Sequence, residues 1–235
     1  MDLHAVRATV ADRPAVVATI VAAFANDPAF RFFFPDETTF DQYAAAFAGY
    51  LFDRRVHQGN VWISAGGAVA ALWDTPEPAA SPEAAPSQTA PVPRLDLPAA
   101  ELGRIRAYDA AVAAVLPTYP HWYLGILATR PDHAGRGLGR RLMAHGVARA
   151  HAEGMTAVLE TMNRSNVDLY VRAGWQVYAE TTAADVPRTW VLVNPPALAQ
   201  DPEATAAADP TTDDSADEAS GDAQSYPDRP ARAAA

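Results

Sequence analysis

The feature that most constrains the fold is a nearly unbroken apolar run, His121–Thr129, which passes through a glycine-bearing turn into a helical pattern at Gly137–Glu153. A run this apolar is typical of a strand that is buried on both faces, as in the parallel part of an α/β sheet. Arg130-Pro131-Asp132 ends the strand. The sequence therefore predicts a sheet covered by helices on both faces.

The turn after this strand has the composition of a phosphate-binding loop. It contains Gly137 and Gly139, with Arg136, Arg140 and Arg141 beside them. The first amides of a helix have no partner within the helix, and they lie at the positive end of its dipole. Glycine lacks a Cβ, so a bulky diphosphate can approach the backbone closely. A plain strand-to-helix connection is the alternative interpretation of the same loop.

Apolar periodicity and turn residues elsewhere predict a mixed sheet of about seven strands. Gly66-Gly67 tolerates the positive φ of a hairpin turn between Val61–Ser64 and Ala68–Trp73. Asn26-Asp27-Pro28 is expected to end the first helix, and Asp36 to cap the second. The other strands are predicted at His4–Val10, Met155–Thr161, Trp175–Thr182 and Arg188–Val193, and the helices at Ala11–Ala25, Asp36–Leu51, Pro98–Leu116 and Asn166–Ala173.

Composition divides the chain into one folded domain and two low-complexity segments. We expect a domain over residues 1–195, interrupted by a flexible Pro/Ala-rich insertion at 74–97 and followed by a disordered acidic tail at 196–235. The net charge is −10, and nine of the carboxylates lie after Gln200. Residues before the tail carry a net charge of about −3, which gives no general attraction to a nucleic-acid backbone, so no nucleic-acid partner is expected.

Other classes of chemistry are excluded by what the sequence lacks. There is no cysteine, which rules out disulfides, thiolate metal sites and a cysteine nucleophile, and no metal site is predicted. No run of eighteen apolar residues and no secretion signal is present, so we expect no membrane partner and a cytoplasmic protein. The oligomeric state is not predicted.

A second segment, Glu160–Trp175, joins a strand to a short helix that ends at Gly174. Together with the glycine loop it resembles the GNAT superfamily of N-acetyltransferases, which have a Q/R-x-x-G-x-G/A loop and a later Asn-x-x-x-Tyr. The resemblance implies acetyl-CoA as co-substrate and a GNAT fold whose sheet is splayed between strands 4 and 5. The co-substrate residues that it implies are Leu127, Ala128, Thr129, Ala134, Gly135, Arg136, Gly137, Leu138, Gly139, Arg140 and Asn166.

The same resemblance assigns catalytic roles. Tyr170 would protonate the departing CoA thiolate, which suits a phenol that stays protonated at neutral pH. The attacking amine needs a base, for which Glu160 and His121 are candidates, while Tyr123 or Asp109 would orient a water molecule. The sequence departs from the family pattern at the first loop position, where Ala134 replaces Gln or Arg and removes a side-chain donor.

Three functions are compatible with these residues. The first is acetyl transfer to the amine of a small molecule, such as an antibiotic or another secondary metabolite, by direct attack in a ternary complex. The second is acetylation of a protein N-terminus or lysine, for which an exposed peptide groove would be expected. The third is a CoA-binding module without catalysis, which Ala134 and the acidic tail would suit but which the presence of Asn166 and Tyr170 argues against.

Overall fold

The computed structural model describes residues 4–76 and 94–197. The strands are β1 (Val6–Arg7), β2 (Val61–Ser64), β3 (Val69–Asp74), β4 (His121–Thr129), β5 (Thr156–Thr161), β6 (Gln176–Glu180) and β7 (Trp190–Asn194). The helices are α1 (Arg13–Phe24), α2 (Pro28–Phe33), α3 (Phe40–Val56), α4 (Ala99–Ala113), α5 (Leu138–Ala152) and α6 (Arg164–Arg172). Most of the predicted insertion and nearly all of the predicted acidic tail lie outside the described residues.

The strands form one seven-stranded mixed sheet in the order β1-β2-β3-β4-β5-β7-β6. Its parallel pair is β4 with β5, and the other neighbours are antiparallel. The β4–β5 pairing joins His121–Leu124 to Thr156–Leu159 and then stops, although β4 continues to Thr129. The predicted mixed sheet, splayed between its fourth and fifth strands, is confirmed.

A β-bulge at Gly125 marks the point where the strands part. Leu72 of β3 pairs with Ile126 and Trp73 pairs with Leu124, so Gly125 has no opposite residue. An extra residue bends the strand that carries it and increases its twist. A Cβ at Gly125 would lie 3.1 Å from a guanidinium nitrogen of buried Arg55, so glycine fits this bend where larger residues would press on the arginine.

Two hydrophobic layers cover the sheet. On one face, side chains of α1–α4 pack on β3 and β4. At their centre is a cluster of phenylalanine rings from α2, its C-cap and α3, with centroid separations near 6 Å: Phe30, Phe33, Phe34 and Phe47. On the other face, α5 packs Leu142 against Trp73 and Leu159. Burying each such side chain contributes about 1.5–3 kcal/mol, so both layers hold the sheet in place.

The structure corrects the predicted helix boundaries in the N-terminal part. Asp27 does not simply end α1, because its carboxylate accepts hydrogen bonds from the amides of Ala29 and Phe30 and so starts the unpredicted helix α2. Asp36 does not cap a helix; it accepts from Thr38 in a local turn, and α3 begins later, at Phe40. The predicted strand at His4–Val10 is reduced to the two residues of β1.

The last helix also begins earlier than predicted. Asn163, not Asn166, caps α6, with its side-chain oxygen accepting from the amide of Ser165 at 3.1 Å. Asn166 therefore lies within the first turn, and its backbone amide donates to the Asn163 carbonyl. Within residues 4–76 and 94–197, none of the helices has the length and apolar character that crossing a membrane requires.

Candidate active site

The loop between β4 and α5 presents a run of backbone amides. The six amides of residues 135–140 donate to no acceptor within the described residues, and α5 has no side-chain cap. The amide of Ala134, which the resemblance also assigned to the co-substrate, donates to the Pro131 carbonyl at 3.1 Å. Six unpaired donors at a helix N-terminus form a site for an anion such as a diphosphate.

The backbone conformation or the packing requires glycine at both Gly137 and Gly139. Gly137 is the N-cap of α5 with φ +69°, a left-handed conformation that residues with a Cβ rarely adopt. Gly139 lies against the end of β4, where an added Cβ would come within 2.7 Å of the Thr129 hydroxyl oxygen. Leu138 between them is buried and anchors the first turn of the helix. The loop thus holds its amides close to the splayed end of β4.

Charged side chains brace the beginning of the loop. Arg130 contacts both carboxylate oxygens of Asp132, at 2.7 and 3.0 Å, and His133 bonds to the same carboxylate. These hydrogen bonds hold the pKa of Asp132 well below its usual range. Arg136 reaches back to the Asp132 carbonyl at 3.2 Å, whereas Arg140 is exposed beside the unpaired amides. A cation next to the open donors favours an anionic ligand.

Glu160 lies near the end of β5, on the far side of the opening between β4 and β5. Two tyrosine hydroxyls donate hydrogen bonds to its carboxylate. Tyr108 of α4 donates to Oε1 at 3.2 Å, and Tyr123 of β4 donates to Oε2. His121 is buried two residues before Tyr123, and its Nδ1 donates to the Tyr119 carbonyl at 2.8 Å. Both candidate bases therefore lie in one polar layer between the sheet and α4.

Tyr170 lies on α6, with its ring 6.1 Å from that of Trp175. Its hydroxyl has no hydrogen-bond partner among the described residues. Burial, together with the negative charges of Asp27 and Glu160, raises the pKa of Tyr170 to about 12. The group is therefore a protonated donor across the physiological pH range.

The structure brings most of the predicted residues to one end of the sheet. β4 ends in Leu127, Ala128 and Thr129, which lie beyond its pairing with β5, and the loop amides follow directly. Asn166 and Tyr170 are one helical turn apart on α6, which starts just after Glu160. Ala134 contributes only an exposed methyl group.

Sequence reasoning missed two residues of this neighbourhood, Asp27 and Tyr108. Tyr108 has the spacing of a buried position on α4, and only the packing of α4 on the sheet brings it to Glu160. Asp27 carried a cap signal that was interpreted as a helix break. In the parts of the chain that are described, no group of three or more metal-ligating side chains is present.

Comparison with known proteins agrees with this geometry. The model of the acetyltransferase (GNAT) family matches residues 98–175, which span α4, the amide loop and α6. A structure described as histone acetyltransferase HPA2 and related acetyltransferase, from Corynebacterium glutamicum, is 25% identical with a TM-score of 0.61, covering 85% of this chain and 99% of that one.

Two further structures share the fold. The C-terminal condensation domain of Ebony, solved in complex with beta-alanyl-dopamine, is 13% identical with a TM-score of 0.62, over 83% of this chain and 99% of that chain. A structure from Desulfovibrio desulfuricans assigned to the GNAT family is 15% identical with a TM-score of 0.52, over 83% and 99%.

These findings show that residues 98–175 are similar to the GNAT acetyltransferase family and that the chain shares its fold with acetyltransferases of known structure.

Proposed function

We propose that this protein is an acetyl-CoA-dependent N-acetyltransferase that transfers the acetyl group to the amine of a small molecule by direct attack in a ternary complex. The observation that carries the proposal is the run of unpaired amides at residues 135–140, which opens beside the splayed end of β4. In this proposal the amides and Arg140 hold the diphosphate of CoA. Leu127, Ala128 and Thr129 offer their backbone to the pantetheine arm, and Asn166 holds that arm from the other side.

Acetyl-CoA would supply a thioester, whose carbonyl carbon the neutral amine attacks. One C–N bond forms, the C–S bond breaks, and the electron pair of that bond leaves with the sulfur. The amine nitrogen loses one proton and the sulfur gains one, so the products are an amide and a thiol. The protein's task is to remove the first proton and to stabilise the departing sulfur.

Tyr170 suits the second task. Its hydroxyl is not engaged by any described residue, and its raised pKa keeps it protonated and able to donate a hydrogen bond. The departing sulfur develops negative charge, and a hydrogen bond to it strengthens in an environment from which water is excluded. The raised pKa also argues against Tyr170 as the residue that removes the amine proton.

Glu160 suits the first task, either directly or through an ordered water molecule. Its two tyrosine partners fix the carboxylate in one orientation, and Tyr123 continues the polar layer towards His121. His121 donates through Nδ1, so its Nε2 is the basic nitrogen of the neutral ring. We propose Glu160 as the base and His121 as a further proton acceptor behind it.

A small acceptor is favoured by the packed setting of Glu160, which lies beneath α4 rather than in an open groove. Several segments also resemble puromycin N-acetyltransferase, among them Pro131-Asp132-His133 and Leu159-Glu160-Thr161, and this motivates an antibiotic or related metabolite as acceptor. The Corynebacterium glutamicum structure is described as a histone acetyltransferase, so a protein or peptide amine is the second candidate.

The test is thiol release from acetyl-CoA in the presence of puromycin, aminoglycosides, polyamines or short peptides. Turnover with one small amine, and little with peptides, is the expected result. Preferential turnover of peptides would replace the small molecule with a protein acceptor. Tight CoA binding without turnover on any amine would point to a CoA-binding module instead.

A further inference from the structure

Arg55, in the last turn of α3, is a buried arginine that has no role in the function described above. Its side chain is 4% exposed, and its Nη2 donates to Oδ2 of Asp74, at the end of β3, at 2.6 Å. Its Nη1 donates to the Leu51 carbonyl at 2.9 Å, one turn earlier in the same helix. Two nitrogens of the guanidinium are therefore bound to fixed acceptors, one on α3 and one on the sheet.

Stability alone does not explain a charged side chain at this position. Arg55 lies between buried Phe52 and Val56 of α3, in the hydrophobic layer of α1–α4, and its Nε is buried without a hydrogen-bond partner among the described residues. Because both charges lose hydration, well-packed apolar residues of similar volume often stabilise a fold as well as a buried ion pair does. What the ion pair adds to apolar packing is a fixed orientation of the groups that it contacts.

The guanidinium of Arg55 lies against the bulge of β4. A Cβ on Gly125 would be 3.1 Å from Nη2 of Arg55 and 3.6 Å from Cε1 of the Tyr123 ring. The guanidinium and the tyrosine ring therefore flank the space that a side chain at residue 125 would fill. Asp74 is opposite Tyr123 in the register of β3 and β4, so both members of the ion pair adjoin this tyrosine.

The bulge determines which face of the sheet Tyr123 occupies. Leu124 packs in the cluster of α5, whereas Ile126, two residues on, packs in the cluster of α1–α4. Residues two apart in a regular strand share a face, so the bulge shifts the alternation by one residue. Tyr123, which donates to Glu160, comes just before this shift. A bulge on the other side of Tyr123 would turn its ring to the opposite face, away from Glu160.

We propose that the ion pair of Arg55 and Asp74 positions the base of the reaction. The pair fixes the bulge at Gly125 and the ring of Tyr123, and the Tyr123 hydroxyl in turn orients the carboxylate of Glu160. This inference rests on the proposed role of Glu160 in acetyl transfer. Arg55 is a positioning residue in this scheme, because it acts through Tyr123 and contacts neither the acceptor nor acetyl-CoA.

The first test removes both charges with the double variant Arg55→Met/Asp74→Asn, which leaves neither charge without its partner. We expect a melting temperature within about 4 °C of the wild type. With an amine that the wild type acetylates, kcat should fall at least about ten-fold, since misplacement of a catalytic group by a fraction of an ångström is costly. The KM for acetyl-CoA should stay within about two-fold of the wild-type value.

The matched control is Arg13→Met/Asp53→Asn, which removes an ion pair that also joins α3 to another helix but is partly exposed. It should keep the wild-type kcat. An unchanged kcat in the double variant of Arg55 and Asp74, or an equal loss in the control, overturns the proposal. If that double variant does not fold, Arg55→Lys replaces it with the same expected results, because lysine keeps the charge but not the two fixed hydrogen bonds.

A mutant cycle with Tyr123→Phe distinguishes positioning from a general loss of structure. This variant cannot donate to Glu160, so the loss that it causes already includes the loss of positioning. Adding Arg55→Met/Asp74→Asn to Tyr123→Phe should therefore lower kcat by less than about two-fold further. Strictly multiplicative losses would show that the ion pair does not act through Tyr123.

A spectroscopic measurement separates failure of this inference from failure of the proposed function. The carboxyl carbon of Glu160 is observed by NMR in protein labelled with ¹³C at the glutamate carboxyl groups, and Glu160→Gln assigns its signal. Tyr123→Phe and the Arg55/Asp74 double variant should shift this signal in the same direction, and the control should leave it in place. That result supports the coupling of Arg55 to Glu160 even if the wild type acetylates no amine. An unchanged Glu160 signal in the double variant overturns the coupling whatever the activity.

Discussion

The indole ring of Trp73 packs directly against the backbone of Gly146 in α5. A Cβ added at Gly146 would overlap the ring atoms of this fully buried tryptophan, so the glycine allows α5 to lie close to β3. The contact joins the helix that carries the amide loop to the centre of the sheet.

Gly146→Ala is therefore expected to destabilise the protein, although alanine is the better helix former. Overpacking of a filled core costs about 1–3 kcal/mol in the free energy of unfolding. The matched control is Gly103→Ala in α4, where nothing lies within 4 Å of the added Cβ. That variant should gain about 0.5–1 kcal/mol from helix propensity. Urea unfolding of both variants measures the difference, and equal effects would contradict the packing argument.

Removal of the Tyr170 hydroxyl should affect chemistry but not binding. We expect Tyr170→Phe to lower kcat by about 100-fold or more, since proton donation in the transition state contributes on that scale. The dissociation constant for acetyl-CoA, measured by calorimetry, should be nearly unchanged. Tyr178→Phe, on exposed β6, serves as the control and should retain wild-type kcat. Normal turnover in Tyr170→Phe would remove this residue from the mechanism.

Glu160→Gln should preserve an oxygen that accepts from Tyr108 or Tyr123 while losing the capacity to take a proton. The expected result is a loss of about 100-fold in kcat/KM at neutral pH. Part of it should be regained as the pH approaches the pKa of the free amine, because the amine then arrives already neutral. A pH profile of kcat/KM checks this, with Glu180→Gln on exposed β6 as the control. Wild-type activity of Glu160→Gln at neutral pH would assign the base elsewhere.

The contact between Gly139 and Thr129 can be tested by rescue. Gly139→Ala places a methyl group against the Thr129 hydroxyl and should displace the first turn of α5, which raises the KM for acetyl-CoA and lowers stability by about 1–3 kcal/mol. Thr129→Ala in the same chain removes the obstructing oxygen. The double variant should recover part of both losses. Strictly additive losses would show that the two side chains do not compete for space.

The burial of His145 is expected to make the free energy of unfolding depend on pH. Its ring stacks edge-on against Trp62 with centroids 4.5 Å apart, and its Nε2 is buried without a described partner. Burial, and to a lesser degree the nearby Arg149, lower the pKa of His145. The unfolded chain therefore takes up a proton near pH ~6.5 that the folded chain still resists, so the free energy of unfolding falls as the pH drops through this region. Unfolding curves at several pH values should show a shallower dependence for His145→Phe; the same slope in both would contradict the assignment.

Sequence patterns with a local cause predicted the structure well. Gly66-Gly67 specified the hairpin between β2 and β3, and the apolar run of β4 followed by the glycine loop specified the strand, the loop and α5 within a residue or two. In each case the signal is a backbone conformation or a buried surface that neighbouring residues alone determine.

Features that depend on tertiary packing were not predictable in this way. Asn26-Asp27-Pro28 is a helix end and a helix start at once, because Asp27 caps α2 and Pro28 takes its first position. His145 lies on a helix, where the sequence alone does not indicate burial, but its ring contacts that of Trp62 of β2. The hydrogen bond from Tyr108 to Glu160 joins residues far apart in the chain, and no local pattern records such a pairing.

Because the pairing between β4 and β5 is short, we expect the thermal stability of the fold to depend on the binding of CoA. Four residue pairs join the two parts of the sheet, and beyond Leu124 the strand edges face a gap. A ligand that hydrogen-bonds to the open edge and to α6 adds contacts across this gap, and its binding free energy adds to that of folding. The melting temperature should therefore follow the logarithm of CoA concentration, so that the supply of co-substrate also sets how much of the protein survives heating.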